Sequence, residues 1–399
     1  MKKIYGIVVL AAMGWCLPSQ AMTFTVLDAL PSINSTGGIA YGMSQNAEYV
    51  AGYSASTQVI SPVRWDSSGA AMGFALNNSL ATAISGDGHR IAGYGFINNQ
   101  STAFWLDIPS NTLVVDLFGP STPNYYQSSG MEVTGMSGDG ATVVGKINGL
   151  AVKWEIGKGT TALDILGAYN GAANAISNDA SVIVGSVVPA GYNSFYSPVG
   201  TGPQVVRWIN GVPELISQLY GTANGVSSDG QYIVGNAVSK NGTEGFLWSE
   251  KNGNTWLGDI PGGEFYSSAA DVSDQGNRVV GFSRGIQDNP MIFNRAFLWE
   301  PGTGLQDLVS VLQAGGADLH GCALQNATAI SADGRWVAGG AICSGSAGFP
   351  YGGFGYLADL GLVRELPEPS SSALFLLGAT VFLFRRKANT AQAVPPLAD

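Results

Sequence analysis

The amino-acid sequence predicts an all-β protein built as a seven-bladed β-propeller, and three observations lead to that prediction. First, 56 of the 399 residues are glycine and only 12% are charged, which favours a turn-dense β chain because glycine destabilises helix interiors. Second, one sequence pattern recurs seven times. Third, each copy carries signals for about four short strands, and four-stranded units of roughly 40 to 50 residues are typical of propeller blades.

The repeated pattern is Ser-x-Asp-Gly, a short polar step and an apolar run that ends in glycine. We number the repeats one to seven by their serines, which are Ser44, Ser85, Ser137, Ser177, Ser227, Ser273 and Ser331. The glycine eight residues after each serine is Gly52, Gly93, Gly145, Gly185, Gly235, Gly281 or Gly339. An aromatic-rich strand follows and ends at Trp65, Trp105, Trp154, Trp208, Trp248, Trp299 or, in repeat seven, Tyr356.

Within each repeat, the first strand ends at the serine, the second carries the apolar run, the third ends at the tryptophan and a fourth follows. Asp-Gly between two apolar strands is a strong hairpin signal because glycine tolerates positive φ. We therefore expect seven blades over residues 22–363. A β-solenoid is the alternative, but its rungs are usually shorter and more uniform than these repeats.

The strand count also predicts how the ring closes. Repeat seven has only residues 357–363 after Tyr356 for a fourth strand, whereas residues 24–30 resemble a fourth strand without a blade. We expect the N-terminal strand to complete repeat seven, which leaves no long unpaired edge.

The N-terminus has the features of a secretory signal peptide over residues 1–21. Lys2 and Lys3 precede an apolar run, and small residues stand before Ala21, the arrangement that signal peptidases recognise. We expect cleavage after Ala21 and export of the mature chain.

Residues 364–387 contain Pro367-Glu368-Pro369, a short apolar stretch and the basic triplet Arg385-Arg386-Lys387. This arrangement resembles the PEP-CTERM sorting tail of exported proteins of Gram-negative bacteria. The resemblance implies a short hydrophobic helix that anchors the protein transiently in the inner membrane, with a membrane-embedded exosortase as its processing partner. It also implies that Pro367, Glu368, Pro369, Arg385, Arg386 and Lys387 are sorting residues. Residues 388–399 extend beyond the usual end of such tails and are expected to be disordered.

The repeats resemble extracellular repeats named for a His-Ala-Phe tripeptide. Ala103-Phe104-Trp105 and Ala296-Phe297-Leu298-Trp299 match that pattern, although Thr102 and Arg295 replace the histidine. The resemblance covers residues 22 to about 363 and implies architecture and little chemistry.

The recurrent aspartates have two interpretations. Asp87, Asp139, Asp179, Asp229 and Asp333 could be calcium ligands. A turn role explains them better, since Asp favours the position before a turn glycine and Asn46 and Gln275 replace it in two repeats. We therefore predict no metal site and no cofactor.

Gly281-Phe282-Ser283-Arg284-Gly285 matches the nucleophile-elbow pattern Gly-x-Ser-x-Gly, and Asp307 and His320 could formally complete a triad. The segment instead ends a repeat strand, with Gly52-Tyr53-Ser54 as its counterpart in repeat one. The sequence therefore predicts no catalytic residue here.

Cys322 and Cys343 remain after removal of the signal peptide and flank the seventh Asp-Gly turn almost symmetrically. Residues equidistant from a hairpin turn face each other, so we predict a disulfide between them in the exported protein. Two separate buried thiols are the alternative.

Two classes of function remain open. Acidic residues outnumber basic ones by 28 to 18, which excludes a basic nucleic-acid surface. The favoured interpretation is a surface or biofilm-matrix protein whose propeller binds an exopolysaccharide or a protein partner. The alternative is a secreted carbohydrate-active hydrolase or lyase, for which Glu244, Glu264 and Asp288 would supply carboxylates that sequence spacing cannot pair.

Loop lengths indicate where a ligand would bind. The connections between second and third strands, and between repeats, vary in length and carry most of the loop aromatics. Variable loops on a rigid scaffold are the usual place for binding, and aromatic rings suit sugar faces. We predict a binding platform that includes Tyr192, Phe195 and Tyr196.

Overall fold

The computed structural model describes residues 21–33, 37–97, 100–119, 130–190, 202–262, 264–285, 294–343 and 353–361. These residues form 27 β-strands, a short 3-10 turn at Pro31–Ile33 and one α-helix, α1, at Leu308–Ala314. The C-terminal hydrophobic helix expected over residues 373–384 lies outside the described residues. No helix in the described part of the chain is long and apolar enough to span a membrane.

The paired strands of each sheet are antiparallel, and hydrogen-bonded neighbours follow one another along the chain, except that the N-terminal strand joins the last sheet. The N-terminal strand is β1 (Thr23–Val26). Repeat one contains β2 (Gly37–Met43), β3 (Tyr49–Ala55), β4 (Ile60–Asp66) and β5 (Ala71–Gly73). Repeat two contains β6 (Ser79–Ile84), β7 (Arg90–Ile97), β8 (Gln100–Asp107) and β9 (Thr112–Val115). Repeat three contains β10 (Glu132–Met136), β11 (Thr142–Ile147), β12 (Leu150–Glu155) and β13 (Gly159–Ala162).

Repeats four and five share one seven-stranded sheet. Its strands are β14 (Asn170–Ile176), β15 (Val182–Val188), β16 (Gln204–Ile209), β17 (Val212–Val226), β18 (Tyr232–Val238), β19 (Thr243–Ser249) and β20 (Gly253–Trp256). The long strand β17 belongs to both repeats: residues 212–220 pair with β16, and residues 221–226 pair with β18. The fourth strand of repeat four thus runs without a loop into the first strand of repeat five.

The last two sheets have four strands each. Repeat six contains β21 (Ser267–Val272), β22 (Val279–Arg284), β23 (Asn294–Glu300) and β24 (Gly304–Asp307). Repeat seven contains β25 (Cys322–Ile330), β26 (Trp336–Cys343) and β27 (Phe354–Asp359). Strand β1 pairs with β27, with Thr23 opposite Asp359 and Val26 opposite Tyr356. The prediction that the N-terminal strand completes repeat seven is confirmed.

The repeat glycine is explained by a bulge in the first strand of every repeat. The register shifts at the residue three before the serine, for example between Ala81 and Ala83. A Cβ on Gly93 would lie 1.9 Å from the carbonyl oxygen of Leu80, and the other six repeat glycines approach a carbonyl equally closely, at 1.9–2.1 Å. Only glycine permits this approach.

The core lies between neighbouring sheets. One cluster, for example, joins Trp105 of repeat two to Met136 and Trp154 of repeat three. The tryptophans that end the third strands are largely buried in these layers, with Trp65, Trp105 and Trp208 at most 3% exposed. Each repeat therefore buries its apolar face only with the help of the next one.

Candidate functional site

One end of the sheets, which we call the turn face, carries the seven turns that begin at the repeat serines, four of which read Ser-x-Asp-Gly. Each repeat serine is at most 2% exposed, and its Oγ accepts the backbone N–H five residues later at 2.9–3.1 Å. In repeat three, Ser137 Oγ donates to Asp139, which in turn accepts the N–H of Ala141 at 2.9 Å. The hydrogen bond from Ser137 lowers the pKa of Asp139. The aspartates thus act within the turn, as the turn interpretation predicts.

The turns are joined into a closed circle by the residue that follows each serine. The N–H of Gln45 donates to Gly86, the N–H of Gly86 to Gly138, and so on through Asn178, Ser228, Asp274 and Ala332 back to Gln45. Six links join backbone N–H to backbone carbonyl, whereas Ser228 N–H donates to the carboxylate of Asp274 at 2.8 Å. We call this circle the turn belt.

A second layer of links starts from the bulged residues of the first strands. Thr82 Oγ1 and Thr134 Oγ1 each donate at 2.7 Å to a carbonyl of the next repeat. Asn174, Asn224 and Thr328 make the equivalent bond at 2.7–2.9 Å. Repeat six breaks this layer because its bulged residue is Ala270, whose side chain has no donor.

The first strands of all seven repeats surround a central cavity of about 200 Å³. Its polar lining includes the threonines and asparagines that already donate to neighbouring repeats. Through these bonds the lining of the cavity joins neighbouring repeats.

Asp271 is the exception in this lining. The other repeats have glycine or alanine at its position, for example Gly225 and Ala329. Asp271 Oδ2 accepts the N–H of Ile330 at 2.9 Å, and the residue lines the cavity. Burial raises the pKa of Asp271 to about 7, and the neighbouring Asp274 adds to that shift.

The opposite end, which we call the connection face, carries the turns between second and third strands and the crossovers between repeats. Hydrogen bonds join these segments to each other, such as Asn148 N–H to Gly130 at 3.0 Å and Arg284 N–H to Tyr266 at 3.0 Å. Connection lengths vary here, from residues 148–149 in repeat three to residues 189–203 in repeat four. Exposed aromatics include Tyr169 at 74%, Trp256 at 38% and Phe265 at 37%.

Several predicted residues lie outside the described residues. They include the platform residues and all the sorting residues: Tyr192, Phe195, Tyr196, Pro367, Glu368, Pro369, Arg385, Arg386 and Lys387. Asp288 lies outside as well, whereas Glu264 forms an ion pair with Arg284 at 2.7 Å.

Cys322 and Cys343 lie opposite each other in β25 and β26 and are joined by a disulfide, with their Cα atoms 3.9 Å apart. The bridge ties the first two strands of repeat seven together at the connection face.

Ser283 is a structural residue, in agreement with the repeat interpretation. It is fully buried, its Oγ donates to Asp259 and it accepts the N–H of Ile260 at 3.3 Å. Its counterpart Ser54 accepts the N–H of Leu30 at 3.0 Å in the same way. Asp307 caps helix α1 and pairs with Arg295 rather than with a histidine.

Sequence reasoning missed a second series of aspartates, which begin the crossovers on the connection face. Their signal is an aspartate followed by Leu or Ile just after the fourth strand, at Asp116, Asp164, Asp259 and Asp307. In repeats two and six, this aspartate accepts from the residue at the missing histidine position, namely Thr102 at 2.6 Å and Arg295 at 2.9 Å. In repeat five, that position is Glu244, which cannot donate when ionised.

No known protein-family profile and no curated protein matches the chain. Among solved structures, the β-propeller domain of the Trilobed protease from Pyrococcus furiosus matches with a TM-score of 0.51 and 12% identity, covering 77% of this chain and 92% of that one. An acylaminoacyl peptidase from Pyrococcus horikoshii matches at 0.46 and 12%, covering 77% of this chain and 50% of that one. TolB from Acinetobacter baumannii matches at 0.41 and 15%, covering 61% of this chain and 65% of that one.

The Trilobed protease domain supports the fold and nothing beyond it, because its identity to this chain is 12%. Antiparallel sheets arranged around a shared cavity, together with this likeness, define the chain as a β-propeller protein. That domain is reported to have an open velcro topology, whereas here β1 pairs with β27 and completes the last sheet.

Proposed function

We propose that this protein is exported, processed near Pro369 and retained at the cell surface or in the extracellular matrix, where its connection face binds a polysaccharide. The observation that carries the proposal is the contrast between the two faces. The turn face has nearly constant turns whose polar groups bond to each other, whereas the connection face has loops of unequal length and exposed aromatic rings. Variable, aromatic-bearing loops on a rigid scaffold favour binding.

The exit point of the chain fits this arrangement. Asp359 pairs with Thr23, and Leu360 N–H donates to Arg335 beside the seventh turn at 2.8 Å. Asp359 and Leu360 therefore lie on the turn face, at the opposite end of the sheets from the connection face.

Seven blades are part of the proposal. Two observations support that number: the turn belt closes after seven links, and the central cavity is lined by seven first strands. The long strand β17 would then serve two blades. A crystal structure of the mature protein tests the number directly, and any other count of sheets around the cavity would refute it.

Export and processing are tested by mass spectrometry of surface material from a Gram-negative host that expresses the full chain. We expect a mature N-terminus at Met22 and the loss of Arg385-Arg386-Lys387. Surface protein that keeps the basic triplet would contradict exosortase processing.

Binding is tested with the Tyr192→Ala, Phe195→Ala, Tyr196→Ala triple variant. We expect retention of the protein on matrix polysaccharide to be lost while the melting temperature stays unchanged. A fall in melting temperature would instead assign these rings to loop packing. Release of new reducing ends from the polysaccharide by the wild type would favour the enzyme alternative.

A further inference from the structure

A small cavity on the connection face of repeat five has the composition of a sugar site. It measures about 360 Å³ and is lined by Val238, Ser239, Lys240, Asn241, Glu244 and Trp256. Pockets for small molecules run from about 300 to 1,000 Å³ and combine apolar surface with a few fixed polar groups. This cavity lies at the lower end of that range.

The rim of the cavity is held in place by local hydrogen bonds. Ser239 N–H donates to Gly242 at 2.8 Å, and Asn241 N–H donates to Ser239 Oγ at 3.1 Å. Thr243 bridges Tyr266 in the crossover that follows. The turn and the crossover thus fix each other, which reduces the ordering cost of binding.

Trp256 supplies an accessible aromatic face. It is 38% exposed, whereas the other tryptophans among the described residues are buried or half-buried. Val238, 50% exposed, adds apolar surface beside it. An exposed indole ring can stack on the C–H face of a pyranose.

Glu244 supplies a buried acceptor. It is 4% exposed, and its Oε1 accepts the N–H of Gly258 at 3.0 Å. No described residue donates to its other oxygen, Oε2, and that oxygen is open to solvent in the cavity. A ligand hydroxyl that enters the cavity can therefore replace water as its hydrogen-bond donor.

Other repeats place a different side chain at the position of Glu244. Thr102 and Arg295 occupy it in repeats two and six and bond to the crossover aspartate. Glu244 faces an acidic partner instead: burial raises the pKa of Asp259, and the charge of Glu244 raises it further. The repeat therefore carries an unfavourable charge pair where its relatives carry a favourable bond.

We propose that this cavity binds a hexopyranose unit of a polysaccharide, with the sugar stacked on Trp256 and its hydroxyls donating to Glu244 Oε2. The inference rests on the proposed function and assigns it a site and a ligand class. The size of the cavity suits a small ligand, and an exposed indole beside a carboxylate acceptor is the combination that a sugar ring can use.

The test uses the mature protein labelled with 5-fluorotryptophan and titrated with hexasaccharides of β-1,4-glucan, β-1,3-glucan and β-1,6-linked N-acetylglucosamine. We expect at least one of them to shift the ¹⁹F signal of Trp256, identified by its loss in Trp256→Phe. Glu244→Gln, which keeps the size and the Oε1 acceptor, should weaken binding by about tenfold, the equivalent of one lost hydrogen bond of about 1.4 kcal/mol. Trp256→Ala should weaken it at least as much.

Val212→Ala is the control, because it removes exposed apolar surface from the turn face, and it should bind as the wild type does. If a hexasaccharide binds while Glu244→Gln and Trp256→Ala leave its affinity unchanged, the site is wrong but the proposed function stands. If no hexasaccharide binds although the protein is still retained on matrix, the sugar assignment is overturned in favour of a protein partner. If the wild-type protein is not retained on matrix polysaccharide, the proposed function itself is overturned.

Discussion

On the turn face, the segments between first and second strands are short in every repeat, such as residues 85–89 and 331–335. On the connection face, the turns between second and third strands differ in length: the turn of repeat three comprises residues 148–149, and that of repeat four comprises residues 189–203. The first set is bonded into the turn belt, whereas the second set bonds only locally. A change of length in one turn of the belt would disturb its neighbours, so the belt restricts variation at one end of the fold and leaves the other end free to acquire function.

The disulfide should have the largest effect, because it lies where the ring closes. Replacing both Cys322 and Cys343 by serine should lower the free energy of unfolding by about 2 to 4 kcal/mol and loosen β25 and β26. Chemical denaturation of the oxidised wild type and the variant measures this difference. If the mature wild type labels fully with a thiol reagent under denaturing, non-reducing conditions, the bridge does not form in the exported protein.

The repeat glycines test the rigid side of the comparison. In Gly185→Ala, the new methyl group would lie 1.9 Å from the carbonyl oxygen of Ala172, so the bulge must move. We expect a loss of about 2 to 3 kcal/mol, measured by denaturant unfolding. Gly130→Ala on the connection face is the control, because its nearest contact would be at 3.4 Å, and an equal loss there would mean that the close carbonyl at the bulge is not the cause.

Asp271 makes the inner surface of the ring sensitive to pH. The folded chain holds the proton of Asp271 up to about pH 7, whereas an unfolded aspartate releases it near pH 3.9. Folded protein therefore binds more protons between these values, and stability should fall as pH rises from about 4 to 7, by at most about 1.4 kcal/mol per pH unit. Above about pH 7 the free energy of unfolding should level off.

Urea unfolding between pH 5 and 8 measures this slope, and Asp271→Asn should flatten it. The amide oxygen can still accept the N–H of Ile330, so the variant tests charge rather than the hydrogen bond. Asp139→Asn is the control: the hydrogen bond from Ser137 lowers the pKa of Asp139, so its contribution is lost only in more acidic solution. A slope unchanged in Asp271→Asn would exclude Asp271 as its source.

Much of this fold could be predicted from the sequence because the repeat marks its own turns. Asp87-Gly88 and its equivalents fixed the hairpins, and the unmatched strand near Phe24 indicated closure. The sequence did not predict that β17 runs through two repeats, since residues 212–220 and 221–226 resemble two separate strands. The cavity beside Glu244 was missed because it depends on how a turn and a crossover of different strands come together.

The smallest effect should come from lengthening a crossover. Inserting Gly-Ser after Gly167, between repeats three and four, places new residues beside an exposed glycine whose Cβ position is open. Loop entropy rises slowly with length, so we expect a cost of no more than about 0.6 kcal/mol. The matched insertion follows Gly140, which also has positive φ but lies in the turn belt. There it would separate Ser137 from Thr142 and displace the carbonyl of Gly140 from Trp105 Nε1, bonds of 3.0 and 2.8 Å, so the cost should be several times larger. Thermal unfolding of the two insertion variants compares them directly, and equal losses would mean that the faces do not differ in their tolerance of length.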